Sequence, residues 1–435
     1  MRPAKACDVV VVGGGIAGLI AARELSQRGL HVCLCEASSR LGGRMMTVSY
    51  GGRDDVELGA TWVHWTHPHL WAEMTRYGLE YVPDPRPEVA LVRDGSQYRA
   101  VPYDEDESVL MGLLTKLLGG TESAFPNPQR ATPHSPELGA LDGLSIADRL
   151  GQLTLTDRER DWADSYLPAL TGETNEDAGL GTFAHWWSCA GGVARAFLSM
   201  FEGGRIAGGT TQLVDAVSRD IRGEILMSAP VTKIEHAAGQ SQVTLGTAEI
   251  IQARHVILAA PINTWKSIEF EPPLAGAAHR ASLAESGGAK GGHKLIIHVA
   301  GDAPGFQAIM PPDEALNLVF TFTKVPGGQL LGAYTRIAPE APSQAAVEAA
   351  LKKLNPDLAL VSIRTHEWTH DPYFQGAWTY RRPHEMSRDL DISTATQPGL
   401  SFAGADVSSG LNWMDGAIAS GLAGARSLLE TDAKS

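Results

Sequence analysis

Cysteine is scarce. The 435 residues hold four, Cys7, Cys33, Cys35 and Cys189. They form no C-x-x-C pair and no Cys/His cluster, so neither a metal site nor a disulfide framework is expected. Cys33 and Cys35 alternate on one expected strand, where they share a face but are badly placed to bond to each other. A reducing cytoplasm suits such thiols. Positive charge is also short. Lys and Arg number 36 against 50 Asp and Glu, a formal net charge of −14. That argues against nucleic acid or an anionic membrane as the main partner. No run is long and apolar enough to span a bilayer. The apolar run near the N-terminus is broken by glycines and fits a βαβ pattern, which is not how a signal peptide reads. The length exceeds what one small core organises and is enough for two interleaved domains.

What is present begins at Val9-Val-Val-Val-Gly-Gly-Gly-Ile-Ala-Gly18. Val9 to Val12 reads as a buried parallel strand. Gly13, Gly15 and Gly18 fit G-x-G-x-x-G, and Ala17 sits inside the motif. The first glycine permits a tight turn, the second lets a pyrophosphate approach, and the third lets helix and strand pack closely. Ile16 to Gln27 reads as the helix whose N-terminus faces the pyrophosphate. Leu30 to Cys35 reads as the next strand, with Glu36 at its end to accept both ribose hydroxyls of an adenosine. An ordinary Gly-rich βαβ turn is the plain alternative. Strand, glycines, helix, strand and terminal Glu in this order favour an adenine dinucleotide.

Further along, Val56 to Trp62 reads as a strand running into a tight loop, and Pro68 to Tyr77 as a helix. From about Tyr81 to Met200 the βαβ rhythm is lost. Helices are expected at Ser108 to Leu118 and Ile146 to Tyr166. Between them Gly119 to Pro136 is polar and Pro-rich, either a surface loop (a lid over a pocket) or a disordered insertion. A second section follows Gly203-Gly-Arg-Ile-Ala-Gly-Gly-Thr-Thr-Gln-Leu213. It holds a helix from Leu213 to Ile221, strands around Val231 and Val243, and the buried strand His255-Val-Ile-Leu-Ala-Ala-Pro261. Strands are then expected at Lys294 to Val299, Leu318 to Phe322 and Leu330 to Tyr334, with a helix at Gln344 to Lys353. Leu400 to Asp406 reads as a last strand, and Asn412-Trp-Met-Asp-Gly-Ala417 opens a long helix.

Arg40-Leu-Gly42-Gly43-Arg44, just past the ribose site, resembles the R-x-G-G-R element of the flavin-containing amine oxidase family, where it wraps the FAD pyrophosphate. The Gly59-Ala60-Thr61-Trp62 loop, the Ala259-Ala260-Pro261 strand end, Ile268 to Leu274, the Trp368 to Trp378 segment and the terminal helix motif resemble the same family in the same order. Trp62 to Trp71 is most similar to bacterial members. The family comprises monoamine, polyamine and bacterial nicotine-type oxidases.

The resemblance implies an α/β fold: a Rossmann-like FAD-binding domain of the GR2 type interleaved with an α+β substrate-binding domain. The FAD domain would take residues 1–80, 203–264 and 399–435, and the substrate domain 81–202 and 265–398. It also places Ala37, Val231, Gly404, Ala405, Asp406, Met414, Ala417 and Trp368 around the cofactor. Lys294 resembles the family lysine that hydrogen-bonds a water near flavin N5; Lys290 is its rival in the same segment. Trp378 and Trp413 fall where the family sets two aromatic rings as a slot for the amine. Where membrane monoamine oxidases carry a flavin-tethering cysteine, this chain reads Gln375-Gly376-Ala377-Trp378, so FAD is expected to be non-covalent. Those enzymes also continue past the terminal helix into an anchor, whereas here the chain reads to Ser435, and no membrane partner is expected. His64, His185, Trp186 and Trp187 are candidates for the pocket wall, the histidines because they titrate near neutrality.

The implied activity is oxidation of a small amine to an imine, with O2 reduced to H2O2. Three rivals stay open: an amino-acid oxidase, which needs an arginine clamp; a biosynthetic oxidase of an N-acylated amine or a desaturase of the protoporphyrinogen oxidase kind; and a non-catalytic binding protein like the GDP-dissociation inhibitors. The residues leave the oligomeric state open, although homodimers are common among soluble members.

Overall fold

The computed structural model describes residues 5–95, 97–132, 135–283, 291–301, 303–335, 337–394 and 397–432. Lys290 lies outside them. Two large sheets organise the chain. The first runs in the order Glu269–Glu271, Val231–Glu235, Ser241–Leu245, Ile250–Leu258, Lys5–Val12, Val32–Cys35, Glu224–Leu226. Its centre is parallel: Lys5–Val12 pairs with Val32–Cys35 on one side and Ile250–Leu258 on the other. Leu400–Phe402 joins the far end of Ile250–Leu258, also parallel. Val9 to Val12 and Val32 to Cys35 are almost wholly buried, as strands covered on both faces must be. The helix Ile16–Gln27 covers one face together with the C-terminal helix Met414–Asp432.

The second sheet holds Ala359–Arg364, Lys294–Ala300, Gly328–Thr335, Leu316–Val325, Phe306–Ile309, Val89–Asp94 and Gln97–Pro102, in that order. One face packs on the helix Gln344–Leu354 through Leu295, Ile297, Val299 and Ala333. The other carries Ile309, Leu318 and Tyr334 under a helical layer that includes Tyr103–Leu118, Asp157–Thr171, Leu180–Cys189 and Ala194–Ser199. Strand alternation decides which side chains reach the centre of the molecule. Leu295 and Ile297 face the outer helix, whereas Lys294 and Ile296 face the Val56–Leu58 segment of the first half.

Three expectations change. The helix foreseen at Ile146 to Tyr166 is two, Ile146–Leu150 and Asp157–Thr171. Each starts with its own capping box, Ser145 with Asp148 and Thr156 with Glu159, and two such boxes punctuate the chain twice. Glu269–Glu271 pairs with Val231–Glu235 in the first sheet, and Leu274, Ala278, Ala281 and Ile392 pack on that sheet's core. The first half therefore reaches past the boundary expected at residue 264. The 119–136 segment is not an insertion standing apart: its described residues form short 3-10 turns at Thr121–Ala124 and Pro128–Arg130 and pack on Leu180–Cys189. Phe125 is buried against His185, and the Ala131 N–H donates to the Ser409 carbonyl.

Candidate active site

A cavity of about 540 Å³ runs from the glycine-rich turn to Lys294, Trp378 and Trp413. Its first end is the Gly13–Gly18 turn, built as a dinucleotide requires. Gly13 has φ +107°, and a Cβ there would meet the Ala259 carbonyl oxygen at 2.8 Å. A Cβ on Gly18 would lie 2.0 Å from the Gly13 carbonyl oxygen, so only glycine lets this helix start so close to the strand. Gly15 is different: the nearest atom to an added Cβ is Gly43 Cα at 3.9 Å, which leaves the backbone bare. The helix begins on it with no side-chain cap, so its first N–H groups are free for an anion. The Gly42 N–H donates to the Gly14 carbonyl at 2.8 Å and pins the Arg40–Arg44 turn to this loop. These residues fit the pyrophosphate of FAD. Gly18→Val should therefore purify with flavin below about a tenth of stoichiometric, read as the ratio of flavin to protein absorbance after desalting. Full flavin content in that variant would refute the close-packing role.

Glu36 is held at the end of Val32–Cys35 by three donors. Its Oε2 accepts the Gly14 N–H at 2.6 Å, and its Oε1 accepts the Ser38 N–H and hydroxyl at 2.8 and 2.6 Å. A carboxylate offers about four acceptor sites, so one remains for a ribose hydroxyl. Val231 reaches the same end, because the Ala229 N–H donates to the Glu36 carbonyl. Arg44 lines the cavity and is ion-paired with Asp406 at 2.8 Å, and Asp406 also accepts the Thr379 hydroxyl and the Ile262 N–H.

The remaining expected residues mostly meet on this wall. Gly13, Gly15, Ala17, Ala37, Gly42 and Gly43 line its first part. Gly59, Ala60, Thr61, Trp62, Ala260 and Trp368 line the middle. Gly404, Ala405, Asp406, Met414 and Ala417 close it. Gly18 and Arg40 do not line it. Gly18 serves packing, and the Arg40 guanidinium donates to the Leu41, Gly43 and Met45 carbonyls, stapling its own turn.

Lys294 is buried, and its Nζ donates to the Gly59 carbonyl at 3.0 Å and to the Thr61 hydroxyl. It lies 5.5 Å from the centre of the Trp62 ring. Burial pushes its pKa down, to about 8, although Glu57 and Asp84 pull it back up. Glu57 is itself fixed by the Thr210 N–H and the Thr210 and Thr47 hydroxyls, and burial raises its pKa. Trp378 and Trp413 are both half-buried on the cavity wall. The Trp378 indole donates to the Thr171 carbonyl at 3.1 Å, and Tyr334 meets its ring edge-on at 5.7 Å. Trp413 is wedged by Trp186, Phe201 and His67, with ring centroids 5.2, 5.2 and 5.4 Å away.

Three wall candidates are structural instead. The His64 ring bonds to the Thr66 and Ser199 hydroxyls and His185 to the Pro128 carbonyl at 2.6 Å, and burial takes both pKa values down to about 4. They stay neutral where pocket titration was expected. The Trp187 indole donates to Glu122 at 2.6 Å and anchors the 119–136 segment. Only Trp186 of that group reaches the cavity. Tyr334, Leu170, Met200 and Phe201 were missed. Tyr334 ends an expected strand, Leu170 lies past the end of an expected helix, and no element was expected at Met200 and Phe201; all four read as ordinary apolar residues, and nothing local separates them from core.

Of the four cysteines only Cys35 touches the cavity, beside Glu36 and away from Trp378. Among the described residues no group of His, Cys, Asp and Glu could hold a metal, and no helix is long and apolar enough to cross a membrane.

Residues 16–429 match the family model described as flavin containing amine oxidoreductase. The chain is 34% identical to a nicotine dehydrogenase of Pseudomonas putida (strain DSM 28022 / S16) over 96% of its own length and 87% of the relative's. It is 32% identical to a pseudooxynicotine dehydrogenase of a Pseudomonas species, covering 95% and 84%. It is 30% identical to an (S)-6-hydroxynicotine oxidase of Paenarthrobacter nicotinovorans, covering 92% and 94%. In structure it is similar to a wild-type putrescine oxidase bound to putrescine (TM-score 0.81, 18% identity, 98% of this chain and 100% of that one). It is also similar to the cyclohexylamine oxidase of Brevibacterium oxydans IH-35A (TM-score 0.78, 20% identity, 98% and 99%). The two likenesses in structure speak for the fold alone.

Proposed function

Because the chain belongs to the flavin containing amine oxidoreductases, we propose that it oxidises a small amine with an apolar body, of the N-heterocyclic kind named for its relatives. The observation that carries this reading is the single cavity joining the dinucleotide turn to Lys294 and the tryptophans. When bound, FAD supplies the two-electron step: the amine loses a hydride equivalent and a proton to become an imine, and O2 takes both up as H2O2. Water then hydrolyses the imine to a carbonyl compound.

The chain's own residues do the placing. A free amine in water is protonated, with a pKa of ~10.4 for a lysine-like group. Between Trp378 and Trp413, with Phe201 and Tyr334 beside them, it loses solvent, which favours the neutral form that can be oxidised. Lys294 keeps a donor at the Gly59–Thr61 loop, in keeping with its resemblance to the family lysine that serves the flavin. Among the described residues Arg44 is the one arginine on this wall, and Asp406 already pairs with it. The carboxylate clamp of an amino-acid oxidase is thus without support. A cytoplasmic setting, expected from the scarcity of cysteine, belongs to the same proposal.

Acid precipitation tests the cofactor half of this reading: the yellow colour should pass wholly into the supernatant, since no cysteine flanks Trp378. Colour retained in the pellet would mean a covalent link. Anaerobic addition of an amine panel to the holoenzyme tests the rest. Bleaching of the flavin band by N-heterocyclic amines supports the proposal. Bleaching by amino acids alone would replace it.

A further inference from the structure

The two tryptophans of the slot are held in different ways. Trp378 has its own tether, the hydrogen bond to the Thr171 carbonyl. Trp413 depends on the rings around it, and one of them belongs to a buried histidine that the proposed chemistry leaves idle. His67 is 1% exposed and does not line the cavity. Its Nδ1 accepts the His64 N–H at 3.2 Å. Burial, with His64 pushing the same way and Asp415 opposing, takes its pKa down to about 4, so the ring is neutral. A neutral imidazole has one N–H, and with Nδ1 accepting, that N–H is at Nε2. Among the described residues Nε2 has no hydrogen-bond partner, although it is shut off from solvent. Buried polar groups are as a rule bonded, so this one calls for a partner.

One is at hand. The planes of His67 and Trp413 stand at 87°, with ring centroids 5.4 Å apart, so the edge of one ring meets the face of the other. An aromatic face is a weak acceptor for an N–H. Trp186 repeats the arrangement: its buried indole N–H also lacks a partner, and its ring meets Trp413 at 62° and 5.2 Å. The backbone fixes the approach of His67. Asp415 stands two residues past Trp413 and is 1% exposed. Its Oδ1 accepts the His69 and Leu70 N–H groups at 2.7 and 2.9 Å, and its Oδ2 lies 3.1 Å from the His69 Nδ1. Those N–H groups open the helix Pro68–Tyr77, whose N-cap is His67. The carboxylate thus clamps the loop that carries His67 to the turn that carries Trp413. We propose that His67 is a positioning residue: its Nε2–H donates to the indole face of Trp413 turned away from the slot and holds the opposite face toward the amine. The proposal rests on the amine-oxidising reading and adds to it a group outside the cavity that sets the geometry of the slot.

Two substitutions separate the two bonds of this ring. His67→Asn keeps an acceptor where Nδ1 stands and loses the N–H at the Nε2 position; His67→Gln reaches the Nε2 position with an N–H and gives up the Nδ1 acceptor. Both are read as holoenzyme, with the panel amine that bleaches the wild type fastest, at saturation. His67→Asn should keep its flavin and lose about 10-fold in the limiting rate of anaerobic bleaching, whereas His67→Gln should stay within about 3-fold of the wild type. The reverse order, which a residue that only supports its loop would give, overturns the proposal, and so does an equal effect in both variants. A second readout needs no turnover. In holoenzyme carrying nitrogen-15-labelled histidine, the ring current of Trp413 should move the His67 Nε2–H proton upfield, and Trp413→Leu should move it back. A proton unmoved by that change overturns the proposal even where neither His67 variant folds. If no amine bleaches the flavin but the upfield proton is present, the oxidation reading fails and the contact of His67 with Trp413 stands.

Discussion

Lys294→Met is expected to slow O2 consumption by the amine-reduced enzyme about 100-fold, the usual cost of removing one preorganised donor or charge from a reacting centre. Flavin content should stay intact, because the lysine bonds to the Gly59–Thr61 loop and lies away from the dinucleotide turn. The pH profile separates charge from packing. Burial lowers the Lys294 pKa to about 8. The cation is then complete below that value and lost as pH rises through it. Wild-type reoxidation should fall across pH 8, and the variant should be slow and flat there. Stopped-flow mixing of the reduced protein with oxygenated buffer reads both. A variant that keeps the wild-type rate, or the wild-type inflection, would remove Lys294 from oxygen chemistry. The same lowered pKa affects stability with a defined sign. Between about 8 and the ordinary lysine value near 10.4 the unfolded chain binds more protons than the folded one, so this residue's contribution to stability rises with pH across that window.

Arg381→Met should cost roughly 3 kcal/mol of stability, the low end for stripping one partner from a buried ion pair. Arg381 and Asp389 are each 1% exposed and 3.0 Å apart. The guanidinium also donates to the Asn412 side-chain oxygen at 2.8 Å and to the Asp406 carbonyl at 3.0 Å. It therefore ties the loop that carries Trp413 to the segment that pairs with Arg44. Arg388 keeps a contact with Asp389 in the variant, which holds the cost at the lower end. Flavin should be released at a lower temperature than in the wild type, since Asp406, Trp413 and Met414 all line the cavity. Thermal release of flavin fluorescence measures it. An unchanged release midpoint would show that the loop is held by packing of Trp413 on Trp186 and Phe201 instead.

The dinucleotide half was legible from residues 9 to 44 because its constraints are local. Gly13 and Gly18 answer to atoms a few residues away or on the adjoining strand, and Glu36 ends a strand whose burial shows in its composition. The resemblance carried Lys294, Trp378 and Trp413 to the cavity wall, where they meet. The errors came from residues whose neighbours are distant. His64 and His185 looked like titrating pocket groups, but Ser199 and Pro128 each take one ring nitrogen and burial keeps both rings neutral. The 119–136 segment looked like a loop because it is polar and Pro-rich. Its one large apolar residue, Phe125, is buried in the helical core and meets the His185 ring sixty positions on.

By itself the sequence determined the cofactor class, the strand–turn–helix that grips it, the order of the motifs and the lack of a cysteine beside Trp378. Each depends on a conformation or a composition that a few adjacent residues impose. Only the tertiary structure decided where the charges stand. Glu57 and Asp84 flank Lys294, and Glu107 consumes two arginines, because strands far apart in the chain bring them together. Among the described residues Glu202 forms no ion pair for the same reason, with Arg86 and Arg195 turned to Glu107. Charge balance in a buried space belongs to all the residues that enclose it, and chain order carries no record of which those are.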